Sequence, residues 1–580
     1  MKIDAFIPAL KWLPAYHSTQ LRGDLSAGLT VGVMLIPQGM AYAMIAGLPP
    51  IFGLYASTIP LVIYALLGTS RQLAVGPVAM VSLLTAAGIG GLADVGTETY
   101  ISLAIALAFF VGLIQFLLGA FRLGFLVNFL SHPVISGFTS AAALIIGLSQ
   151  LKHLLGVKIS GTHHVHEIII QAVQQFGSIN WITFGIGLAG IVLIKGVKKV
   201  SAAIPGSLLA VVFGILTVWG LGLADKGVKI VGEIPGGLPS FTLPDASLST
   251  LSTLLPTAMA IALVSFMESI AVAKAIQAKH KDYKVSANQE LIALGLANVG
   301  GALLQSYPVT GGFSRTAVND QAGAQTGMAS IFSAALIVLT LLFLTPLFYY
   351  LPNAILASVI MVAVFGLIDV KEAIHLWYAD RSDFWMLIAT FVATLALGIE
   401  QGIGIGVALS IAVIIYQTTR PHIAVLGRIP GTNFYRNVDR FPQLEQREDL
   451  LIVRFDAQLY FANLSFFREQ LEELVQEKGS QLRAIIINAE SINNIDSSAM
   501  QMITDVVTDF RQAGLRVMFS GVKGPVRDAM VKGHLVDIIS EACFFLSVQE
   551  AVDSHLSKDN HTFSQDHHEV TLQTNAHAHG

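Results

Sequence analysis

The stretch SYPVTGG, residues 306–312, decides the fold, because a proline and two adjacent glycines interrupt a long apolar region there. A matching stretch, LAVGP at residues 73–77, lies in the first half of the chain. The proline of each stretch follows a polar residue of an earlier apolar segment, Gln38 by 39 residues and Glu268 by 40 residues. Paired interruptions at matching positions are typical of membrane proteins with a binding site at the bilayer midplane.

The composition fits a membrane protein with a soluble domain attached. Of 580 residues, 54% are hydrophobic and 12% are charged, whereas soluble domains average about 25% charged residues. The formal net charge of −4 argues against a nucleic-acid binder, and the single cysteine, Cys543, excludes a disulfide framework and a cysteine zinc site. Residues 1–430 hold 38 charged side chains and the much shorter segment 431–580 holds 34, so a soluble domain follows the membrane part.

Apolar runs of about 17–25 residues are long enough to cross a bilayer as helices, and the chain contains fourteen candidate runs. A loop rich in glycine and proline, residues 232–244, separates the first seven of these runs from the last seven. Because seven is odd, the second half enters the membrane from the opposite face, which predicts an inverted 7+7 repeat. The spans, numbered 1–14, are 26–46, 50–67, 75–91, 101–120, 130–150, 179–196, 203–222, 254–277, 286–304, 314–326, 328–350, 353–368, 384–399 and 402–419.

Basic residues predict the orientation, because they concentrate in cytoplasmic loops. With the N-terminus inside, sixteen basic residues fall in inside segments and four in outside loops. Both termini are then cytoplasmic, and the first 22 residues lack the apolar core of a signal peptide. We expect a cytoplasmic N-terminal segment (1–22), a membrane domain (23–425), a cytoplasmic domain (435–557) and a disordered histidine-containing tail (558–580).

Two of the charged residues within predicted spans are candidates for function. A helix that restarts at the midplane directs free N–H groups and its positive dipole end into the cavity, and Arg315 stands at such a restart in span 10. An intramembrane charge indicates function, so we expect Arg315 to attract an anion, to pair with Glu268, or to do both. Glu268 is a candidate proton carrier, with a structural ion pair or a cation ligand as alternatives.

Five stretches resemble the signatures of the SulP anion transporter family, the sulfate permeases, and with the C-terminal domain the resemblance covers nearly the whole chain. They are LIPQGMAYA (35–43), GLPPIFGLYAS (47–57), GTSRQLAVGPVA (68–79), SHPVISGF (131–138) and GGFSRT (311–316).

The resemblance implies a core domain (spans 1–4 and 8–11), a gate domain (spans 5–7 and 12–14) and a substrate site between the half-helices of spans 3 and 10. The motif FMESIA at 266–271 resembles proton-coupled sulfate transporters and assigns proton coupling to Glu268. Val272 stands where sodium-dependent bicarbonate members carry a hydroxyl, which disfavours a sodium site. The expected substrate-binding residues are Gln38, Tyr42, Pro77, Val78, Ala79, Phe313, Ser314 and Arg315.

The C-terminal region alternates predicted strands (450–456, 483–489, 515–520) with predicted helices (463–478, 498–513, 523–532, 548–557), which favours a small α/β domain. The segment NIDSSAM (494–500) resembles the STAS domain of SulP proteins, in which a serine at this helix start can be phosphorylated. Ser498 is the nearer match. The alternative is that Asp496 and Ser497 only cap the helix.

Histidines could hold a metal at two places, but we expect a plain loop and a solvated tail, with no metal site. The loop group is His163, His164, His166 and Glu167, and the tail holds histidines at 561, 567, 568, 577 and 579.

The leading interpretation is a homodimeric inner- or plasma-membrane carrier, not an enzyme, that takes up sulfate with protons and uses no cofactor. The alternatives are exchange or sodium symport of bicarbonate, chloride or a dicarboxylate, and a membrane-anchored STAS sensor that transports nothing. A nucleobase carrier of this architecture would carry an acid at the start of span 10, where this chain has Ser314 and Arg315.

Overall fold

The computed structural model describes residues 6–125, 131–157, 165–200 and 206–559. The chain divides into two compact units, residues 1–411 and 412–580. His163, His164 and the tail histidines lie outside the described residues.

A helix or a pair of helices stands at each of the fourteen predicted spans, which confirms the predicted helical membrane fold. By length and composition, seven helices in the described part of the chain are long and apolar enough to cross a membrane. The helices of spans 1–14 are Ser18–Ile45, Pro50–Leu67, Ala79–Gly90, Glu98–Ala120, His132–Leu154, Trp181–Val200, Gly206–Gly220, Leu248–His280, Ala287–Ala302, Phe313–Gln321, Met328–Phe348, Asn353–Phe365, Arg381–Leu397 and Ile399–Thr419.

Spans 3 and 10 are half-helices. Their helices have 12 and 9 residues, so at 1.5 Å per residue they extend about 18 Å and about 14 Å. The hydrocarbon core is about 30 Å thick, so neither helix can cross it. Each instead follows an extended dipeptide, Val75–Gly76 (β1) before span 3 and Thr310–Gly311 (β2) before span 10.

The two halves pack with the symmetry expected of a repeat. Span 1 packs against spans 10 and 11, and its counterpart, span 8, packs against spans 3 and 4. In the same way span 5 contacts span 13, and span 12 contacts span 6. Exchanging the two halves therefore maps each of these contacts onto another one, which confirms the repeat.

Close packing fixes span 1 against span 2 beside Gln38. The backbones of Gly39 and Gly53 touch, so that a Cβ on Gly53 would overlap the carbonyl of Gly39. Small residues allow such close approach of helices in a membrane, where van der Waals contact drives association. The packing holds the part of span 1 that carries the predicted site residues in one position.

The second unit contains a six-stranded sheet in the order β4-β3-β5-β6-β7-β8. Strands β5 to β8 are parallel, while β3 runs antiparallel to both β4 and β5. The three predicted strands and four predicted helices are present. The strands are β3 Ile423–Arg428, β4 Tyr435–Asn437, β5 Leu450–Phe455, β6 Ala484–Asn488, β7 Arg516–Ser520 and β8 Phe544–Phe545, and the predicted helices are Leu464–Lys478, Ser497–Gln512, Gly524–Lys532 and Val548–Asp559.

Candidate functional site

The starts of the two half-helices meet through backbone pairing. Strands β1 and β2 pair antiparallel, with Val75 opposite Gly311 and Gly76 opposite Thr310. The N–H of Gly312 also donates to the carbonyl of Ala74 at 3.1 Å. Because each strand leads directly into its half-helix, the pairing brings the two positive helix ends to one place.

Arg315 lies between these two ends. One terminal nitrogen of its guanidinium donates to the carbonyl of Pro77 at 2.6 Å. The other terminal nitrogen would lie 3.0 Å from a Cβ placed on Gly312 and 3.4 Å from one placed on Gly76. The absence of side chains at these two glycines therefore makes room for the cation, which spans from one half of the repeat to the other.

The charge of Arg315 is buried without a full set of partners. The side chain is 2% exposed, and Nε and one terminal nitrogen make no hydrogen bond. No carboxylate forms an ion pair with it among the ion pairs of the described residues. Unpaired buried donors are costly, and an unpaired buried charge more so. The geometry thus leaves guanidinium donors free for a group that approaches the half-helix ends.

Span 1 contributes two buried polar side chains to this region. Gln38 and Tyr42 are each 5% exposed, and they lie one turn apart on the same helix face. The Gln38 side-chain oxygen makes no hydrogen bond, whereas Tyr42 lies close enough to Arg315 to interact electrostatically with it. Span 1 packs against both half-helices, so these side chains border the same site.

Glu268 lies on span 8, the counterpart of span 1. One of its carboxylate oxygens is buried and makes no hydrogen bond. The residue as a whole is only partly buried, and it interacts electrostatically with Arg315 without forming an ion pair within 4 Å. The structure therefore places an incompletely satisfied acid near an incompletely satisfied cation.

The remaining predicted residues divide by exposure. Val78 and Ala79, at the start of span 3, are 9% and 4% exposed, and Pro77 beside them is buried too. At the start of span 10, by contrast, Phe313 is 62% exposed and Ser314 is also exposed. The side chains at the start of span 10 therefore point out of the packed interior, while Arg315 points into it.

Hydroxyl groups that the sequence analysis did not single out hold β2 in place. The hydroxyl of Ser269 accepts from the N–H of Gly311 at 2.8 Å and is hydrogen-bonded to the hydroxyl of Thr310 at 2.7 Å. Thr316 accepts from the N–H of Ala74 at 3.0 Å and donates to the carbonyl of Gly312 at 2.7 Å. The hydroxyl residues that directly follow Glu268 and Arg315 in the sequence would have been the signal for this support.

Two buried acids hold the loops that flank the half-helices, and the sequence analysis missed both. Glu290, on span 9, accepts from the Tyr64 hydroxyl at 2.6 Å and from the N–H and hydroxyl of Thr69 at 2.7 and 2.6 Å. Asp24, on span 1, accepts from the N–H of Gln325 at 2.6 Å and from the hydroxyl of Thr326 at 2.6 Å. Each carboxylate is satisfied by hydrogen bonds, which distinguishes it from Glu268.

Ser498 lies in the first turn of the helix Ser497–Gln512 and is exposed. Asp496 caps this helix, since its carboxylate accepts from the N–H of Ala499 at 2.8 Å. Its second oxygen accepts from the N–H of Phe461 at 2.9 Å. The Ser498 hydroxyl is therefore not needed for the cap, and its phosphorylation stays a prediction.

Comparison with known families gives two matches, which follow one another along the chain. Residues 21–390 match the sulfate permease family, and residues 441–551 match the STAS domain. This chain belongs to the sulfate permease family. The family consists of membrane transporters rather than enzymes, so the chain is a multi-pass membrane transporter with a C-terminal STAS domain.

A curated relative and two solved structures are similar to this chain over most of its length. A curated relative described as "Sulfate transporter 4.1, chloroplastic" from Arabidopsis thaliana is 39% identical over 568 residues, covering 95% of this chain and 82% of the relative. The mouse Solute Carrier 26 family member A9 anion transporter, solved in the inward-facing state, superposes with a TM-score of 0.88 at 26% identity over 96% of this chain and 94% of the other. The transmembrane domain of the cyanobacterial bicarbonate transporter BicA superposes with a TM-score of 0.59 at 23% identity over 68% of this chain and 98% of its own length.

Proposed function

We propose that the chain takes up sulfate with protons by alternating access. The observation that carries the proposal is the buried Arg315, whose free donors lie between two half-helix ends. Helix N-termini bind anions through free N–H groups and the helix dipole, and a guanidinium matches the oxygens of a tetrahedral anion. The relative described as a sulfate transporter supports sulfate as the substrate.

In this proposal the anion binds between the starts of spans 3 and 10. It is surrounded by the backbone N–H groups at Val78 and Ala79 and by Phe313, Ser314 and Arg315. Pro77 ends the extended segment before span 3. Gln38 and Tyr42 close the site from span 1. Their buried positions beside both half-helices suit them to contact a small anion.

Transport then requires the site to open to one side of the membrane at a time. We infer that the core domain, spans 1–4 and 8–11, carries the anion past the gate domain, spans 5–7 and 12–14. The core contains both half-helices and their hydrogen-bonded supports, so it can move without disturbing the site. We place the protein in the inner or plasma membrane as a homodimer. We place both termini on the cytoplasmic side, because the distribution of basic residues favours this orientation.

Glu268 is our candidate for the coupling group. Moving negative charge inward against the membrane potential costs about 2.3 kcal/mol per elementary charge per 100 mV. A proton carried by Glu268 would offset part of this cost. Its buried oxygen without a hydrogen bond and its nearness to Arg315 support this role, because anion binding at the cation changes the electrostatic environment of the acid.

Uptake of radiolabelled sulfate into proteoliposomes with an acidic exterior tests this function. We expect sulfate to accumulate and to be displaced by unlabelled sulfate more strongly than by bicarbonate, chloride, oxalate or fumarate. Displacement mainly by bicarbonate, or a requirement for sodium or an internal anion, would replace the proton–sulfate assignment with one of the alternatives. The absence of any anion flux would favour a sensor.

A further inference from the structure

A cavity of about 370 Å³ opens on the second unit, apart from the site in the membrane. It lies where β5 ends and β3 begins, since Asp456 follows β5 and its N–H donates to the carbonyl of His422 at 3.0 Å. The carboxyl ends of parallel strands are the usual place for ligands in α/β sheets. Four side chains in its wall are cationic or can become so: His422, Arg436, Arg440 and Arg454.

The only acidic side chain in the wall is already neutralised. Arg454 contacts both oxygens of the Asp456 carboxylate, at 2.5 and 2.9 Å, and His422 lies 2.9 Å from one of them. Burial alone would raise the pKa of this carboxyl, but the hydrogen bonds from Arg454 and His422 outweigh it and lower the pKa. Asp456 therefore stays ionised and balances Arg454 rather than the other cations.

Arg436 and Arg440 remain as uncompensated positive charge. One nitrogen of Arg436 donates to the neighbouring carbonyl of Tyr435 at 2.9 Å, which leaves its other donors free. The side chain of Arg440 takes part in none of the hydrogen bonds or ion pairs found among the described residues. Both arginines are exposed, so a ligand can reach them without a rearrangement of the fold.

One wall residue of the cavity lies only a few residues along the chain from the end of span 14. His422 follows the end of span 14, Thr419, by three residues, and three residues reach at most about 11 Å. The last turns of span 14 present an exposed Tyr416, and Arg420 stacks over its ring at 5.5 Å from the centroid. Tyrosine and arginine at a helix end mark the membrane–water interface.

We propose that this cavity binds a phosphate group through Arg436 and Arg440. Guanidinium groups bind phosphate oxygens through paired, charge-assisted hydrogen bonds. Two sources carry this chemistry at the membrane surface, the headgroup of an anionic phospholipid and a soluble phosphate compound. Either ligand would connect the STAS unit to conditions at the membrane or in the adjoining solution.

Two binding measurements on the full chain distinguish the sources. Native mass spectrometry counts bound phosphatidylglycerol against phosphatidylcholine, and calorimetry in phosphatidylcholine nanodiscs measures binding of inorganic pyrophosphate. We expect Arg440→Gln to weaken binding of the true ligand about tenfold, the effect of losing one charge-assisted contact. Arg436→Gln should act in the same direction. A preference for phosphatidylglycerol would identify the ligand of the cavity as a lipid, and binding of pyrophosphate would identify it as a soluble phosphate compound.

Arg483→Gln is the matched control. Arg483 is exposed and directly precedes β6, so it lies at the amino-terminal ends of the parallel strands, whereas the cavity lies at the carboxyl end of β5. The Arg483→Gln variant removes one positive charge, as Arg440→Gln does. An equal loss of ligand binding in the two variants would therefore overturn the proposal by showing a nonspecific charge effect. Failure of both probes to bind would overturn it as well. Pyrophosphate binding that disappears in Arg315→Gln but not in Arg440→Gln would belong to the membrane site and would also contradict it.

Discussion

At the scale of single residues, the site depends on side chains that are buried without complete hydrogen bonding. The sequence identifies Arg315 and Glu268, because charged residues within apolar spans are conspicuous. It does not identify the carbonyl of Pro77 as the partner of Arg315, which lies 238 residues away in the chain. Contacts across such a separation depend on the pairing of the two halves, which no local pattern specifies.

Replacing Arg315 with Gln should weaken sulfate binding by roughly 1–3 kcal/mol, the value of a hydrogen bond to a charged group. This corresponds to an increase in Kd of about 5- to 150-fold, measured by calorimetry or by the concentration dependence of uptake. Arg381→Gln, at an exposed arginine that begins span 13, is the control and should leave Kd unchanged. An unchanged Kd in Arg315→Gln would exclude this residue from substrate binding.

Replacing Glu268 with Gln should separate binding from coupling. The amide mimics a permanently protonated carboxyl, so we expect sulfate binding and exchange of external for internal sulfate to persist. Uphill uptake driven by an acidic exterior should be lost, as measured in proteoliposomes. Glu98→Gln, at an exposed acid in the first turn of span 4, should accumulate sulfate normally. If Glu268→Gln accumulates sulfate as well, another group carries the proton.

At the scale of elements, the two half-helices could be predicted from proline and glycine at matching positions. The helix of span 10 begins within one residue of the predicted start, at Phe313, whereas that of span 3 begins at Ala79, after the extended segment that contains Val75 and Gly76. The short strands before them could not be assigned, because a two-residue strand has no periodicity of its own. The hydroxyls of Ser269 and Thr316 hold them in place by accepting hydrogen bonds from the N–H of Gly311 in β2 and from the N–H of Ala74, which directly precedes β1. These bonds join different spans, so they follow only from the packed structure.

Thr316→Val tests this support. The substitution keeps the side-chain shape but removes the hydroxyl that accepts from the N–H of Ala74 and donates to Gly312. Because Thr316 is fully buried, the unpaired N–H should cost about 1–3 kcal/mol. We expect a lower Tm and weaker sulfate binding, by differential scanning fluorimetry and calorimetry. Thr316→Ser restores the hydroxyl and should recover both; a Ser variant as impaired as Val would point to lost methyl packing instead.

At the scale of the whole molecule, composition and charge distribution predict the division into a membrane part and an α/β part. The buried strands β5, β6 and β7 were predictable from their runs of apolar residues. Strands β3, β4 and β8 were not, because β3 lies between Pro421 and Pro430 and the edge strands β4 and β8 have only 3 and 2 residues. The edge strands obtain their stability from a neighbouring strand, β3 for β4 and β7 for β8, rather than from their own pattern.

Cutting the chain at two points tests whether the membrane unit holds the site by itself. A fragment 1–420 keeps span 14 and removes the whole sheet, so we expect it to insert, remain monodisperse and bind sulfate within about threefold of the full chain. A fragment 1–433 keeps β3 without β5 and should aggregate more, because an unpaired strand edge recruits other strands. Size-exclusion chromatography measures the aggregation of the two fragments, and calorimetry measures their binding of sulfate. A folded 1–420 fragment that binds no sulfate would show that the second unit contributes to the site.

The pairing of β1 with β2 also sets the order in which the protein can mature. The partners are about 235 residues apart, and at a synthesis rate of about 5–20 residues per second the ribosome needs about 12–47 s to pass from one to the other. During this interval the first half-helix has an unpaired strand end within the membrane, where free backbone groups are poorly tolerated. The first half of the protein must therefore wait, incompletely folded, for the second half, and assistance during its insertion would act within that interval.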